Sequence, residues 1–431
     1  MSREMKNSGV PWLKDIPSNW NVERGKNVLV LQKRPVRESD DVVTCFRDGE
    51  VILRSLRRTE GFTMSDKEIG YQGINEGDIV IHGMDGFAGA MGVSKSTGKG
   101  SPVLVVCSPK YDAIPQYIIY YLRALAMTDV FIALATGIRE RSCDLRWNKI
   151  SELEFILPSS IEQQKIASFL DRKCAEIDEM IALQEKIVEE LKAYKQSVIL
   201  EAVTKGLNPD VTMKDSGIEW IGEIPEHWEV LKSKKILLSN DGGVWGEEPD
   251  GIDDTVVLRS TEQDIDGKLI IIEPAKRKLS LKEREASLLK RGDLIITKSS
   301  GSPSHIGKTS IIDEGVENLG CCYSNFIQRI RVKGEPKYYW YIFNSLIVKK
   351  QFEYLSTTTT GINNINSKII EALFLPCTSA EEQEGIALYL DTKCTEIDNL
   401  ISIKLSKIDS LKEYKKSIIY EYVTGKKEVT E

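Results

Sequence analysis

Two stretches of the sequence contain residue types that could hold phosphate or a metal ion. GSPSHIGKT, from Gly301 to Thr309, approximates the G-x-x-x-x-G-K-[ST] loop, in which backbone N–H groups and a lysine bind phosphate. It has one residue too many between its glycines, and the corresponding earlier stretch, HGMDGFAGAMGVS, lacks the Lys-Thr pair. We therefore favour a turn between two strands over a nucleotide site.

The second stretch, whose carboxylates could hold a metal ion, matches its motif equally poorly. Pro249-Asp250 followed by Asp266-Gly267-Lys268 resembles a metal-dependent nuclease pattern, but D-G-K is also a common hairpin turn. With three histidines in the whole chain, a histidine-based metal site is not expected. The sequence has no N-P-P-Y or G-x-G-x-x-G motif, and no nucleophile visibly paired with a histidine. It therefore predicts neither an active site nor a metal site.

Residues that can reach DNA phosphates and base edges are better represented, in loop-like stretches such as LRSLRR, TGIRERSCDLRWNK, KSSGSPSHIGK and STTTTGINNINSK. The candidate DNA-binding residues are Arg54, Arg57, Arg58, His82, Lys95, Lys99, Arg139, Arg141, Arg146, Arg259, Lys298, Ser299, Ser300, Ser302, His305, Lys308, Thr358, Thr359, Asn363 and Asn364. For any single one of them a solvated loop is the simpler interpretation, whereas the sets favour a DNA-binding surface. Arg54 and Arg259 occupy matched positions, which suggests a structural or phosphate-positioning role rather than base reading.

These loops belong to a chain that repeats itself. GVPWLKDIPSNWNV, from Gly9, recurs as GIEWIGEIPEHWEV, from Gly217. VILRS recurs as VVLRS, EGDIVI as RGDLII, and EQQKIASFLDRKCAEIDEMI as EQEGIALYLDTKCTEIDNLI. The plan is A–B–A′–B′, a duplicated half-protein rather than a short solenoid repeat. The paired tryptophans around a proline carry no catalytic group, so we interpret them as packing anchors.

Segment A alternates apolar strands with at least one helix, whereas segment B is a long helix. Ser159 with Glu162, and Ser379 with Glu382, have capping-box spacing. A seven-residue apolar grid predicts a coiled-coil seam of Leu170, Ile177, Gln184, Leu191, Val198, Leu390, Ile397, Lys404, Leu411 and Ile418, with Tyr194 and Tyr414 also matching the grid. The polar seam positions, Gln184 and Lys404, either fix the register or simply reach solvent.

The repeated blocks resemble the specificity subunit of type I restriction-modification systems. The resemblance covers essentially the whole chain and is carried by the paired W-x-x-x-I-P-x-x-W openings, the LRS and GD[IL][VI][IL] blocks, and the EQ–IA–LD–KC–EID helix blocks. It implies an α+β protein with two tandem α/β target-recognition domains, at 1–157 and 209–375. It also implies conserved spacer helices at 158–208 and 376–431, packed as an antiparallel coiled coil in a pseudo-twofold internal repeat.

The resemblance also implies a function. Such a subunit has no catalytic activity; it binds double-stranded DNA and two modification (methyltransferase) subunits, and restriction (endonuclease and translocase) subunits join that core. S-adenosylmethionine, ATP and Mg²⁺ then belong to the partners, and no cofactor or metal is expected in this chain. Two similar globules should read a bipartite, asymmetric target. A helix of roughly 40 residues, about 60 Å long, limits the spacing to about 18 base pairs. The competing interpretation is a coiled-coil scaffold that docks proteins without reading DNA.

Composition sets looser bounds. The net charge of −7 argues mildly against a protein that coats itself in nucleic acid, although partners can supply positive surface. Eight cysteines without a dense pattern fit a reducing compartment. Neither a signal peptide after Met1 nor an apolar run long enough to span a membrane is visible, so we expect a cytoplasmic protein without membrane contact.

Overall fold

The computed structural model describes residues 3–57, 69–134, 145–299, 305–359 and 365–430, the last residues of 305–359 by backbone alone. The chain divides into two compact units. The first unit combines Met1–Glu185 with Leu405–Glu431, and the second unit is Lys186–Lys404. Each unit mixes strands and helices, which confirms the predicted α+β class.

The first unit is built on a four-stranded antiparallel sheet in the order Leu29–Leu31, Leu104–Pro109, Ile79–His82, Met91–Val93. The two central strands are nearly continuous apolar runs because both of their faces are buried. The other strands are Met5–Val10, Leu13–Pro17, Asn21–Arg24, Val43–Cys45, Val51–Leu53, Gln72–Ile74, Gly98–Gly100 and Glu154–Leu157. The helices outside the long pair are Gly25–Val28, Pro115–Met127, Val130–Ala133 and Trp147–Glu152, with 3₁₀ turns at Arg54–Leu56 and Gly86–Ala88.

The second unit repeats this sheet order with Leu237–Gly242, Ile327–Val332, Leu294–Thr297 and Thr309–Ile311. Its other strands are Met213–Asp215, Glu223–Pro225, Glu229–Lys232, Thr255–Leu258, Ala275–Arg277, Cys322–Tyr323 and Phe374–Cys377. Its shorter helices are Ser233–Ile236, Leu281–Ser287, Glu314–Asn318, Pro336–Phe343, Leu346–Thr359 and Ser367–Ala372, with a 3₁₀ turn at Ser260–Glu262. In both units a proline-initiated helix, Pro115–Met127 or Pro336–Phe343, packs tyrosines into the core.

Two long helices complete the molecule: the first long helix is Ser160–Lys205 and the second long helix is Ala380–Val423. Within each unit their segments contact each other in opposite directions. In the first unit, Phe169 stacks on Tyr422 with ring centroids 4.5 Å apart, and Asp178 pairs with Lys415 further along. In the second unit, Asp398 pairs with Lys195.

Most of the predicted seam is buried. The buried members are Leu170, Ile177, Gln184, Val198, Leu390, Ile397 and Ile418, and the partly buried ones are Leu191, Lys404 and Leu411. Gln184 Oε1 is buried and has no hydrogen-bond partner among the described residues, so this side chain does not reach solvent as one of the two alternatives supposed. The assignment of Tyr194 and Tyr414 to the grid was wrong, because they are 57% and 56% exposed on the outer helix faces.

The described cysteines are free. Across the described ranges, no group of three or more histidine, cysteine, aspartate or glutamate side chains is arranged to hold a metal ion. None of the helices in those ranges combines the length and the apolar character needed to cross a membrane.

Candidate nucleic-acid interface

The duplicated tryptophan motif attaches each unit's globular part to the start of a long helix. Trp20 is fully buried and donates its indole Nε1–H to Glu162 Oε2 at 3.1 Å. Trp228 is equally buried and donates to Glu382 Oε2 at 3.0 Å. Both carboxylates stand at the third position of their helix, where an acid also complements the helix dipole.

These bonds change the expected capping geometry. Glu162 N–H donates to Ser159 Oγ at 3.3 Å, and Glu382 N–H donates to Ser379 Oγ at the same distance, so one arm of each predicted capping box forms. The carboxylate that should complete the box binds tryptophan instead. Each glutamate recurs with its tryptophan in both copies, and this recurrence is the sequence signal that could have revealed the pair.

The same motif also packs on the end of the other long helix segment in its unit. Gly425 follows the second long helix with φ +71°, and a Cβ there would lie 2.4 Å from Pro17 Cδ. Gly206 follows the first long helix with φ +74°, and a Cβ there would lie 3.3 Å from Trp228. Each motif therefore joins one helix start to one helix end, which confirms its interpretation as a packing anchor.

Charged and hydroxyl groups reinforce each joint between globule and helices. Tyr120 Oη donates to Asp171 Oδ1 at 2.8 Å, and Tyr341 Oη donates to Asp391 Oδ1 at 2.7 Å. In the second unit, Asp398 accepts from Lys195 at 2.7 Å and from Lys268 at 3.1 Å. Burial alone would raise the pKa of Asp398, but the two lysine hydrogen bonds outweigh it and lower that pKa. A cleft of about 560 Å³ opens beside these residues. It is lined by the ion pairs Lys195–Asp398, Lys268–Asp398 and Lys337–Asp391.

Two of the DNA-binding candidates in the first unit, Arg57 and Lys95, lie beside an acidic pair. Arg57 binds Asp48 and Glu50, and its guanidinium lies 4.2 Å from the centroid of the Phe46 ring. Lys95 Nζ binds Glu50 Oε1 at 3.1 Å. The hydrogen bond from Arg57 lowers the pKa of Asp48, so the carboxylate is charged and neutralises part of this basic surface.

The remaining first-unit candidates are dispersed. His82 ends the strand Ile79–His82, and its Nδ1 accepts a hydrogen bond from Asp85 N–H at 3.0 Å. Burial lowers the pKa of His82, which favours the neutral ring. Lys99 lies in the strand Gly98–Gly100, and Arg146 directly precedes the helix Trp147–Glu152. Arg58, Arg139 and Arg141 lie outside the described residues.

Arg54 is the first residue of the 3₁₀ turn Arg54–Leu56, and Arg259 directly precedes the turn Ser260–Glu262. Arg54 Nε donates to Thr44 Oγ1 at 3.2 Å. Arg259 Nη2 donates to the carboxylate of Glu262 at 2.5 Å, and this hydrogen bond raises the pKa of Arg259. Their shared place supports the structural role that the repeat suggested.

The loop that resembled a phosphate site is a strand connection. Leu294–Thr297 and Thr309–Ile311 pair antiparallel on either side of it. Lys308 is only 5% exposed and donates Nζ–H to the Gln263 carbonyl oxygen at 2.6 Å, with His305 Nδ1 at 2.9 Å. The ammonium is thus engaged inside the fold, and the pairing of the flanking strands agrees with the turn interpretation. Residues 301–304 of this loop lie outside the described residues.

A second cleft of the second unit, with a volume of about 250 Å³, brings Lys298 and Ser299 beside Asn325, Phe326 and Gln328. Thr358 and Thr359 belong to the helix Leu346–Thr359, but their side chains lie outside the described set. Ser300, Ser302, Asn363 and Asn364 also lie outside the described residues. DNA contact by the candidate residues of either unit stays a prediction.

The structure therefore defines an internally duplicated α+β protein whose two units share a sheet and a helix joint but carry different loops. Residues 257–413 match the family model of the type I restriction modification DNA specificity domain. The type I restriction enzyme MjaVIII specificity subunit of Methanocaldococcus jannaschii is 25% identical over 431 residues, covering 95% of this chain and 93% of that protein. The StySPI specificity subunit of Salmonella potsdam is 24% identical over 328 residues, covering 70% of this chain and 64% of its own.

Solved structures share the fold. One solved chain comes from a structural study of complex assembly and conformational transition of the type I R-M system. It superposes with a TM-score of 0.69 at 15% identity, covering 95% of this chain and 99% of that one. The HsdS subunit of Thermoanaerobacter tengcongensis gives a TM-score of 0.51 at 16% identity, covering 95% and 98%.

Over nearly its whole length this chain is similar to type I restriction enzyme specificity subunits, and its residues 257–413 match the model of the DNA specificity domain.

Proposed function

We propose that each unit of this chain reads one half of a bipartite, asymmetric DNA target within a type I restriction-modification complex. The observation that carries the proposal is that the units share the sheet order and the tryptophan–glutamate joint, whereas the residues beyond the strand ends differ. A shared frame with different loops is what two related but distinct half-sites require, because bases are read by side chains presented from the frame.

We further propose that the units are tandem α/β target-recognition domains separated by two long helices, which pack as an antiparallel coiled coil in a pseudo-twofold repeat. The opposed helix contacts within each unit support this arrangement. A rigid helical spacer would fix the length of the non-specific gap between the half-sites.

The partners in this proposal are double-stranded DNA, two modification subunits and restriction subunits. Large apolar side chains are exposed at repeated positions of the long helices: Met180, Leu183 and Tyr414 in the first unit, and Leu400, Ile403 and Tyr194 in the second. Clusters of exposed apolar side chains are typical of protein-binding surfaces. Because the positions repeat, they suit two copies of one partner. S-adenosylmethionine, ATP and Mg²⁺ would then be bound by the partner subunits.

Sequencing of methylated bases in cells that carry the system tests the bipartite target. We expect a motif that depends on this chain and consists of two different half-sites around a gap of unspecified bases. A short, uninterrupted motif would contradict the proposal.

Binding to duplex DNA in the presence of the modification subunit separates DNA reading from a protein-docking scaffold. We expect the logarithm of the binding constant to fall linearly with the logarithm of salt concentration, because phosphate contacts release counterions. We also expect preference for target over non-target duplex. If the chain changes neither the salt dependence of binding nor the preference for target duplex, the protein-docking scaffold is favoured.

A further inference from the structure

The 250 Å³ cleft of the second unit is lined by Lys298, which makes no ion pair with a carboxylate of the described residues. Lys298 follows the strand Leu294–Thr297, and its backbone N–H donates to the Phe326 carbonyl oxygen at 2.9 Å. Among the described residues no carboxylate pairs with its Nζ; the nearby Asp241 carboxylate accepts from Arg329 Nη2 at 2.8 Å. Partial burial lowers the pKa of Lys298 because its charged form loses hydration. A hydrogen-bond acceptor entering the cleft would replace that hydration.

The side-chain amide of Gln328 lines the same cleft as Lys298. Gln328 is only 2% exposed, and its Nε2 donates to Asn240 Oδ1 at 2.8 Å and to Ser367 Oγ at 3.0 Å. These two bonds fix the orientation of the amide and leave Oε1 without a partner among the described residues. A Cβ placed on Gly242 would lie 3.6 Å from Lys298 Nζ and 3.8 Å from Gln328 Oε1. One cationic donor and one neutral acceptor therefore converge where Gly242 leaves space.

The first unit has no such pair in the same register of its described strands. Ile296 faces Gln328 across the central strands of the second unit, and Ile81 faces Val105 in the first. Gly83 N–H donates to the Val103 carbonyl oxygen at 2.9 Å, in the place of the Lys298–Phe326 bond. A glycine and two valines thus stand where the second unit has lysine, phenylalanine and glutamine. The cleft belongs to the part of the frame in which the two copies diverge.

We propose that Lys298 and Gln328 read a G·C base pair in one half of the DNA target. Lys298 donates to guanine O6 or N7, and Gln328 Oε1 accepts from the cytosine N4 amino group. Guanine O6 and cytosine N4 are neighbours on the major-groove edge, and lysine or arginine to guanine is the commonest specific contact. Phe326, which is 53% exposed, supplies an apolar rim. The inference rests on the proposed function and adds the base pair and the residues that determine it.

The test uses Lys298→Met in the full chain assembled with its modification subunit, together with Lys298→Arg, which keeps a donor. We expect Lys298→Met to reduce discrimination at a single G·C position of one half-site by roughly 5- to 150-fold, with the other half-site and the gap unchanged. Lys298→Arg should retain most of that discrimination. Lys276→Met, at an exposed lysine outside the cleft, is the control and should leave the motif unchanged. Thermal unfolding establishes that each variant is folded.

Three outcomes overturn the inference. Equal loss of affinity for all sequences, with a shallower salt dependence, would make Lys298 a phosphate contact. Relaxation at an A·T position would make the base assignment wrong, and an unchanged motif would remove Lys298 from base reading. In each case the wild-type complex still selects its target, whereas failure of the proposed function would abolish selection by the wild-type complex itself.

Discussion

At the residue scale, the hydrogen bond from a tryptophan indole to a glutamate carboxylate occurs in both copies of the repeat. Trp228→Phe would remove the Nε1–H that binds Glu382 while keeping most of the buried ring. We expect the free energy of unfolding of the second unit to fall by roughly 2–3 kcal/mol, because a hydrogen bond to a charged acceptor is lost.

Trp220→Phe is the matched control within the same motif. Trp220 Nε1 is buried and has no hydrogen-bond partner in the part of the chain that the structure describes, so removing its N–H loses no bond seen there. Thermal unfolding and amide exchange at the start of the second long helix measure both variants. Equal destabilisation by the two substitutions would show that ring volume, rather than the bond to Glu382, matters.

Two glycines of the C-terminal region should respond oppositely to alanine. Gly425 has φ +71°, and a Cβ there would collide with Pro17, so Gly425→Ala should destabilise the first unit by about 1–3 kcal/mol. Gly385 lies inside the second long helix with nothing within 4 Å of a Cβ, so Gly385→Ala should stabilise by about 0.5–1 kcal/mol. Chemical denaturation of the full chain measures both changes. The same sign for both would show that the space around the added Cβ does not decide the effect.

Many contacts between individual side chains could not be predicted from the sequence. The burial of Trp20 and Trp228 followed from their apolar context, but their partners did not, because Glu162 and Glu382 already had a capping role to explain them. Lys308 illustrates the same limit. A lysine in a polar loop suggests a surface contact, and only the packed fold reveals that Gln263 binds its ammonium.

At the element scale, the seven-residue grid predicted which faces of the long helices are buried, because helical periodicity depends on sequence spacing alone. It failed for Tyr194 and Tyr414, since a tyrosine fits either a seam or an exposed face and spacing cannot distinguish them. The sheet order was not predictable in detail, because it depends on long-range pairing rather than on local pattern.

Gln184 is a polar group in an otherwise apolar seam. Its Oε1 is buried and meets no hydrogen-bond donor of the described residues, so Gln184→Leu should raise the free energy of unfolding by about 1–2 kcal/mol. Glu189→Leu, at an exposed position of the same helix, is the control and should have little effect on folding stability. Urea unfolding provides the comparison. A loss of stability in Gln184→Leu would indicate that the amide makes a necessary contact.

The lysine-bound carboxylate Asp398 should make the helix pair of the second unit sensitive to acid. Its pKa is lowered in the folded state, so its stabilising contribution is complete above the ordinary value of 3.8 and is lost as pH falls through the lower folded value. Asp398→Asn should therefore destabilise the protein near neutrality but flatten the dependence of stability on pH below about 4. Thermal unfolding across pH 2–7 measures this, and an unchanged slope would contradict it. Asp409→Asn, at an exposed position of the second long helix, is the control.

At the scale of the whole molecule, duplication was the most predictable property, because a repeat is visible without any structural knowledge. The target sequence was not predictable, since it depends on where loop side chains lie relative to a base edge. The cleft of Lys298 and Gln328 makes this concrete: the two residues are far apart in sequence and meet only because their strands pair.

The proposed spacer predicts how the gap can be changed. Insertion of one heptad within Ile181–Leu191, with a matching heptad in Ile401–Leu411, preserves the seam and lengthens both helices by about 10 Å. We expect a longer gap between unchanged half-sites, determined by sequencing of methylated bases. Altered half-sites around an unchanged gap would contradict the spacer role.

The composition of the first unit has a consequence for the order in which the protein is made. Its core includes Ile418, Ile419 and Val423, which follow the second unit in the sequence, whereas the second unit is the continuous segment Lys186–Lys404. During synthesis the first part of the first unit must therefore wait for a segment that is made after the second unit, and the second unit can close its core earlier. A truncation that removes Ile418–Val423 would thus damage the first unit while leaving the continuous second unit intact.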